Sequence, residues 1–122
     1  LTYSKERHTF GAPISSFQGI SFMLADMAKD IEAARLLVYQ AAQLADQGLG
    51  QLCIAEAVCA KAFAQDMVMR VTTDAVQVYG GYGFSKEYPV EKLMRDAKVS
   101  QLLDGTSELL KVNLGRQMVT AL

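Results

Sequence analysis

A chain of 122 residues is long enough to bury a core and short enough to be one domain. Its 51% hydrophobic and 20% charged residues exclude a disordered chain, and a net charge of -1 leaves no electrostatic case for nucleic acid or an anionic membrane as main partner. No apolar run approaches the ~20 residues of a membrane span, and a single histidine with no CxxC pair gives no metal pattern.

The sequence starts at Leu1, and a polar helical pattern follows at once. The start therefore reads as a cut or processed end inside a helix, without a signal or transit segment. Residues 1–8 are expected to be the last turns of that helix, with Lys5 and Arg7 near its C-terminal end, where cations favour the dipole. A loop over residues 9–15 follows, broken by Gly11 and Pro13.

Ser15 or Ser16 can cap the next helix. Phe17, Ile20, Leu24, Met27, Ile31, Ala34, Val38, Ala41 and Ala45 repeat at spacings of three and four, a sustained amphipathic stripe. Asp26, Lys29, Asp30 and Arg35 fall on the opposite face. At ~1.5 Å per residue this is a rod on the order of 45 Å, ended by Gly48 and Gly50.

A second long helix is expected from Gln51 to about Tyr79. Ile54, Ala57, Ala64, Val68, Val71, Ala75 and Val78 form one apolar stripe, with Leu52, Ala55, Cys59, Ala62 and Phe63 beside it. A helix apolar over so wide an arc needs neighbours on more than one side. Cys53 and Cys59 lie on different faces of this helix and read as small apolar residues, without a disulfide. Gly80, Gly81 and Gly83 end the helix. Pro89 suits the first turn of a third helix running to about Leu102 or Leu103. Thr106 or Ser107 caps a last one with Leu109, Leu110, Val112, Leu114 and Met118 as its apolar positions. With no strand alternation and no internal repeat, residues 1–122 read as one all-α domain, an up-and-down four-helix bundle of long antiparallel helices. Its broad apolar surface calls for association.

Three places carry polar groups suited to a ligand. A guanidinium at Arg7 and a hydroxyl at Thr9 can both reach one phosphate, although alone they read as a solvated helix end. Gln77 to Gly81 joins a helix end to two glycines, through which backbone can approach a ligand. It follows no strand, so it is not a dinucleotide fingerprint of the Rossmann kind. Asp104-Gly105-Thr106-Ser107 sets a carboxylate, a flexible backbone and two hydroxyls side by side between helices. Arg95 and Asp96 are expected to form an ion pair locking the third helix against its neighbours, with Lys98, Glu87 and Glu91 on a solvated face. The six methionines read as fillers of core gaps.

The segments Glu6-Arg7-His8-Thr9-Phe10-Gly11, Gln77-Val78-Tyr79-Gly80-Gly81-Tyr82-Gly83-Phe84, Glu87-Tyr88-Pro89-Val90-Glu91-Lys92-Leu93-Met94-Arg95-Asp96-Ala97-Lys98 and Asp104-Gly105-Thr106-Ser107-Glu108, in this order and spacing, resemble the C-terminal helical domain of acyl-CoA dehydrogenases. These flavoenzymes oxidise acyl-CoA thioesters to 2-enoyl-CoA. The resemblance runs across essentially the whole chain and covers that one domain; the N-terminal helical and middle β domains of the family have no counterpart in it. It implies FAD as cofactor, with Arg7 and Thr9 on the pyrophosphate of a neighbouring subunit's FAD and Phe10 packed near it. Phe17 and Gln18 would line the flavin nucleotide, and Gln77, Val78, Tyr79, Gly80 and Gly81 the adenosine-diphosphate half. For Phe17 the core-stripe reading remains.

In most of the family a glutamate stands where this chain has Asp104, and it removes the α-proton while hydride passes from the β-carbon to the flavin. Aspartate keeps a carboxylate able to act as general base but reaches about 1.5 Å less, and a displacement of ~1 Å can cost on the order of a hundredfold in rate. Asp104 is then the base in a repositioned backbone, a weakened base, or not the base, which in some members stands on a helix that would lie upstream of Leu1. N-capping of the last helix is its structural alternative. The resemblance further implies Gly105 against the thioester and Thr106, Ser107 and Glu108 against the flavin or its ribityl phosphate. Leu109, Leu110 and Lys111 depart from the family's common Ile-Gln-Arg.

The partners implied are an acyl-CoA substrate, electron-transferring flavoprotein as acceptor, and further copies of the chain, a dimer or a tetramer built as a dimer of dimers. The implied place is the bacterial cytoplasm or the mitochondrial matrix. The isolated chain is expected to be inactive as a dehydrogenase. Two other readings stand beside this one: a stand-alone helical bundle that only mediates association, and one subunit of a split enzyme.

Overall fold

The computed structural model describes residues 1–120, with side chains for all of these except Gln51, Leu52 and Thr120. The Leu52 side chain, placed in the second stripe above, therefore lies outside the described residues. The helical bundle expected from the periodicity is what forms. A short helix α1 (Thr2–Glu6) leads through a hairpin to two long helices, α2 (Gln18–Asp46) and α3 (Gly50–Tyr79), and then to α4 (Val90–Ser100) and α5 (Ser107–Thr120). α2 packs along one side of α3, while α4 and α5 pack on its other side. That double coverage is why α3 is apolar over a wide arc, and small residues such as Ala60 sit buried along it.

The hairpin is the part that sequence periodicity does not show. Strands β1 (His8–Thr9) and β2 (Ala12–Pro13) pair antiparallel, His8 opposite Pro13 and Thr9 opposite Ala12. Two residues per strand are too few for alternation to register. Phe10 (φ 54°) and Gly11 (φ 81°) form its tip, both in the left-handed region that a tight two-residue hairpin requires. The return strand runs straight into a 3-10 turn at Ile14–Ser16, so Ser15 and Ser16 fall within that turn, two residues and one residue ahead of the α2 cap position. Phe17 occupies the cap position without a side-chain cap, and Ser16 Oγ donates instead to Pro13 O at 2.7 Å.

α2 ends as the glycine predicts. Gly48 (φ 74°) donates to Ala45 O at 3.0 Å and Leu49 to Leu44 O at 3.1 Å, the paired bonds of a Schellman motif. This reverses the chain within a few residues and sets α3 antiparallel to α2. The face of α2 turned inward is rotated from the stripe read off the sequence. Ala34 and Ala41 are buried, but Ile31 and Val38 are exposed, and Asp30 takes an inner place. Asp30, expected on the outer face, accepts from Arg70 Nη2 at 2.6 Å and Arg70 Nε at 3.1 Å, an ion pair between α2 and α3. Apolar residues surround α2 on more than one side, so periodicity alone does not fix its phase.

Beyond α3, a 3-10 segment at Gly80–Phe84 turns the chain, and α4 opens behind Pro89. α4 stops at Ser100, short of Leu102, because its last turn tightens: Gln101 N bonds Lys98 O and Leu102 N bonds Val99 O. Arg95 and Asp96 do not lock α4 to its neighbours. Arg95 pairs with Glu91 (2.8 Å) and Asp96 with Lys92, both along α4 itself. The four-residue spacing lets these groups meet on one helix without reaching another. Glu91, Lys98 and their neighbours thus share short side-chain bonds, Lys98 with Gln101 at 2.9 Å. Cys53 and Cys59 are free thiols, half-buried.

Candidate functional site

The polar groups singled out in the sequence come together in two places. The first is an open cavity of about 810 Å3 where α1, the hairpin and the C-terminal end of α3 meet. Arg7, Thr9, Phe10 and Phe17 line it from one side, Gln77, Val78, Tyr79, Gly80 and Gly81 from the other. Residues seventy apart in sequence thus share one cavity. Gln18 opens α2 and is not part of its lining.

A tyrosine cluster holds the two sides together. Tyr3 of α1 stacks on Tyr79 at the end of α3, with ring centres 4.0 Å apart, and donates its hydroxyl to Tyr79 O at 3.2 Å. Tyr88 packs edge-on against both. Burial raises the Tyr3 phenol above its ordinary pKa, against the opposing pull of Arg7, so the hydroxyl stays a donor at neutral pH. Arg7 follows α1 in extended backbone, which its amide bond to Tyr3 O (2.8 Å) and its carbonyl bond from Ile14 N (2.8 Å) fix in place. Its guanidinium carbon stands 5.4 Å from the centre of the Tyr82 ring. Across the cavity, Gly80 and Gly81 leave open backbone: a Cβ on either would meet nothing within 4 Å. Phe10 is 94% exposed at the hairpin tip and meets Phe17 edge-to-face at 6.4 Å.

This donor set is a cationic fork, a hydroxyl and a side-chain amide beside exposed aromatic rings and bare glycine backbone. It suits an anionic phosphate ester joined to an apolar ring system.

The second place is the turn between α4 and α5. Asp104 (φ 55°) and Gly105 (φ 100°) are consecutive left-handed residues. The positive φ is what favours glycine at 105, and a Cβ there would also sit tightly, 3.2 Å from Leu110 Cδ2. Leu110 is thus the buried floor of this turn. Thr106 caps α5, its Oγ1 accepting from Leu109 N at 3.3 Å, which leaves Asp104 outside the capping position and exposed. Thr106 and Glu108 are exposed as well, whereas Ser107 is buried and its hydroxyl points to α3.

Two residues that the sequence reading passed over, Gln65 and Asp66, stand behind this turn. Gln65 is 2% exposed. Its amide orientation is set by its partners: Nε2 donates to Ser100 O at 3.0 Å and Oε1 accepts from Ser107 N at 3.1 Å. The Ser107 hydroxyl lies 2.8 Å from the same oxygen and 3.1 Å from Asp66 Oδ1. Asp66 Oδ1 also accepts from Gln101 Nε2 at 3.1 Å, and Oδ2 pairs with Lys111 at 3.1 Å. Partial burial works to raise the Asp66 pKa, but the bonds from Lys111, Ser107 and Gln101 outweigh it and hold the carboxyl below its ordinary value. The sequence offers only a partial signal, two adjacent polar residues in a largely apolar helix, which marks the place without naming its partners.

The two places are far apart. The step from Gln65 to Val78 along α3 is thirteen residues (78 − 65), or about 20 Å at ~1.5 Å each. Among the described residues there is no group of side chains arranged to hold a metal ion, and no helix is long and apolar enough to cross a membrane.

The chain is similar to known proteins over nearly its whole length. The family model for the acyl-CoA dehydrogenase C-terminal domain matches residues 1–119. An acyl-CoA dehydrogenase of Bacillus subtilis (strain 168) is 52% identical over 98% of this chain and 31% of its own length. The butyryl-CoA dehydrogenase structure from Megasphaera elsdenii superposes with a TM-score of 0.92 at 50% identity, covering 97% of this chain and 30% of that one. The FAD complex of PigA superposes with a TM-score of 0.89 at 28% identity, covering 96% and 30% respectively. The chain therefore spans less than a third of the length of these relatives.

Proposed function

Since this chain belongs to the acyl-CoA dehydrogenase family, as its C-terminal domain, we propose that it carries two half-sites of an FAD-dependent enzyme that forms 2-enoyl-CoA from an acyl-CoA. One half-site is the cavity at the end of α3, which binds the adenosine-diphosphate part of the FAD of a neighbouring subunit. The other is the Asp104 turn, which serves the subunit's own catalytic centre. The observation that carries this reading is the convergence of Arg7, Thr9, Gln77 and bare glycine backbone on one cavity, about 20 Å along α3 from Gln65, which stands behind the Asp104 turn.

In the cavity, Arg7 offers a fork of N–H donors to a pyrophosphate, and the attraction of its cation to the Tyr82 ring helps to hold it in place. Thr9 adds a hydroxyl donor, while Phe10 and Phe17 cover apolar ring surface. At the turn, the Asp104 carboxylate accepts the α-proton of the bound thioester. Bound FAD supplies the acceptor for the hydride leaving the β-carbon. Gly105 lets the thioester approach the backbone, and exposed Thr106 and Glu108 offer polar contacts to the cofactor side. The remaining domains of such an enzyme are supplied by the same or another polypeptide, and electron-transferring flavoprotein is the acceptor proposed for it. Large apolar residues left exposed on α2, Phe22 (62%) and Tyr39 (65%) among them, support an oligomer in which that face is covered.

The test is anaerobic addition of acyl-CoA to the complete flavoprotein, followed by the loss of visible flavin absorption. Asp104→Asn is expected to keep its flavin and to bleach ~10²–10⁴ times more slowly, the usual contribution of a general base. Bleaching at the unmodified rate would place the base elsewhere.

A further inference from the structure

We infer that Gln65 and Asp66 are positioning residues for Asp104: together they clamp both ends of the turn that carries it. The proposal rests on the reading of Asp104 as general base, and the clamp itself can be tested apart from it.

The turn spans residues 101–106 and is fixed at its ends rather than along its length. Its entrance is the end of α4 and its exit the first turn of α5. Gln65 alone bridges the two, donating to Ser100 O at the entrance and accepting from Ser107 N at the exit. Asp66, the next residue on α3, repeats the bridge one position further in, accepting from Gln101 Nε2 and from the Ser107 hydroxyl through the same oxygen. Lys61, one turn earlier on α3, adds a second donor to Ser100 O at 3.3 Å. Lys111 of α5 completes the set by pairing with the free oxygen of Asp66.

These bonds end on the first residue of the turn, Gln101, or on residues flanking it, and none reaches Asp104 itself. The carboxylate is left exposed for chemistry while its backbone is held in the left-handed conformation from both sides. The burial of Gln65 makes the arrangement costly to undo, because its amide and the groups it satisfies lie away from water. Positioning matters more for aspartate than for a longer acid. A side chain with one methylene less has one torsion less with which to correct a misplaced backbone, so the backbone has to be right. An error of ~1 Å costs on the order of a hundredfold.

Two readouts test this. Hydrogen exchange of the amides at residues 101–107 reports the clamp directly. Gln65→Met fills the same space without hydrogen bonds, and the turn is expected to exchange at least about tenfold faster while α2 keeps its protection. Asp66→Ala should act in the same direction, and Asp66→Asn, which keeps an acceptor oxygen for Gln101 and Ser107, should recover part of the loss. If Gln65→Met does not fold, Asp66→Ala carries the test, because Asp66 is 41% exposed and its loss leaves no large buried gap. Unaltered exchange of the turn in the folded variants overturns the clamp, whatever Asp104→Asn does.

In the complete enzyme, the same variants should lower kcat by about ten- to a hundredfold with KM and flavin content unchanged, and shift the acid limb of the kcat–pH profile. Faster exchange with kcat and its pH profile unmoved overturns the positioning role while leaving the clamp. A wild-type kcat in Asp104→Asn overturns the reading of Asp104 as base.

Discussion

The guanidinium of Arg7 stands 5.4 Å from the centre of the Tyr82 ring, joining the end of α1 to the segment that follows α3. A cation held over a ring face is attracted without spending its N–H donors on the ring, so a phosphate can take them. Arg7→Ala should therefore weaken FAD binding by roughly ten- to a hundredfold, as expected for one lost hydrogen-bonded charge. Arg7→Lys should recover only part of this, since it keeps the charge without the fork or the stacking plane. Titration of the apoenzyme with FAD, read by flavin fluorescence, measures both.

Gly81 and Gly83 are two residues apart and should respond in opposite ways. A Cβ on Gly83 would lie 2.4 Å from Val76 O and 2.9 Å from Tyr79 Cβ, so Gly83→Ala forces backbone apart and should cost about 1–3 kcal/mol by chemical denaturation. A Cβ on Gly81 meets nothing within 4 Å but enters the cavity. Gly81→Ala should leave stability within about 0.5 kcal/mol and weaken FAD binding instead. Equal loss of stability in the two variants would contradict the geometry.

Asp30 and Arg70 tie α2 to α3, with Asp30 15% and Arg70 58% exposed in their side chains. Because the cation is largely in water, a double-mutant cycle with Asp30→Asn and Arg70→Met should give a coupling no larger than ~1 kcal/mol, shrinking as salt is added.

Acid should loosen the Asp104 turn before it unfolds the bundle. The folded-state pKa of Asp66 is depressed, so its contribution is fully present above the unfolded value of about 3.9 and is lost as pH falls through the lower folded value. Exchange at residues 101–107, compared between pH ~5 and pH ~2.5 after correction for the intrinsic rate, should show the wild-type turn losing protection. Asp66→Asn should flatten that dependence. With Asp66 41% exposed, solvent screening limits the effect to less than about 1 kcal/mol.

The helices were legible because long amphipathic runs and glycine stops act locally: Gly48 ends α2 through bonds confined to its own last turn. The hairpin at residues 8–13 was not, since two paired residues per strand carry no periodicity. The phase of α2 was misread where apolar residues cover more than one face, which hid the inward place of Asp30. At the sites, Arg7, Thr9 and Gln77 to Gly81 were legible as motifs, and folding brings them to one cavity. Gln65 was not, because its role depends on Ser100 and Ser107 arriving from two other helices. Only the fold puts those partners within reach.

Mixing two impaired variants, at an FAD concentration that leaves Arg7→Ala largely unloaded, tests the central claim, that one chain serves two different active sites. Subunits carrying Arg7→Ala and subunits carrying Asp104→Asn are unfolded or dissociated together, reassembled with FAD, and assayed for acyl-CoA oxidation. If Arg7 serves the neighbour's cofactor and Asp104 the subunit's own centre, each mixed dimer contains one intact site and one doubly altered site. Activity should then rise well above that of either variant alone, toward half the wild-type value per mixed dimer. If both residues serve the same site, every site in the mixture carries one defect. Activity no greater than the average of the two variants would contradict the account.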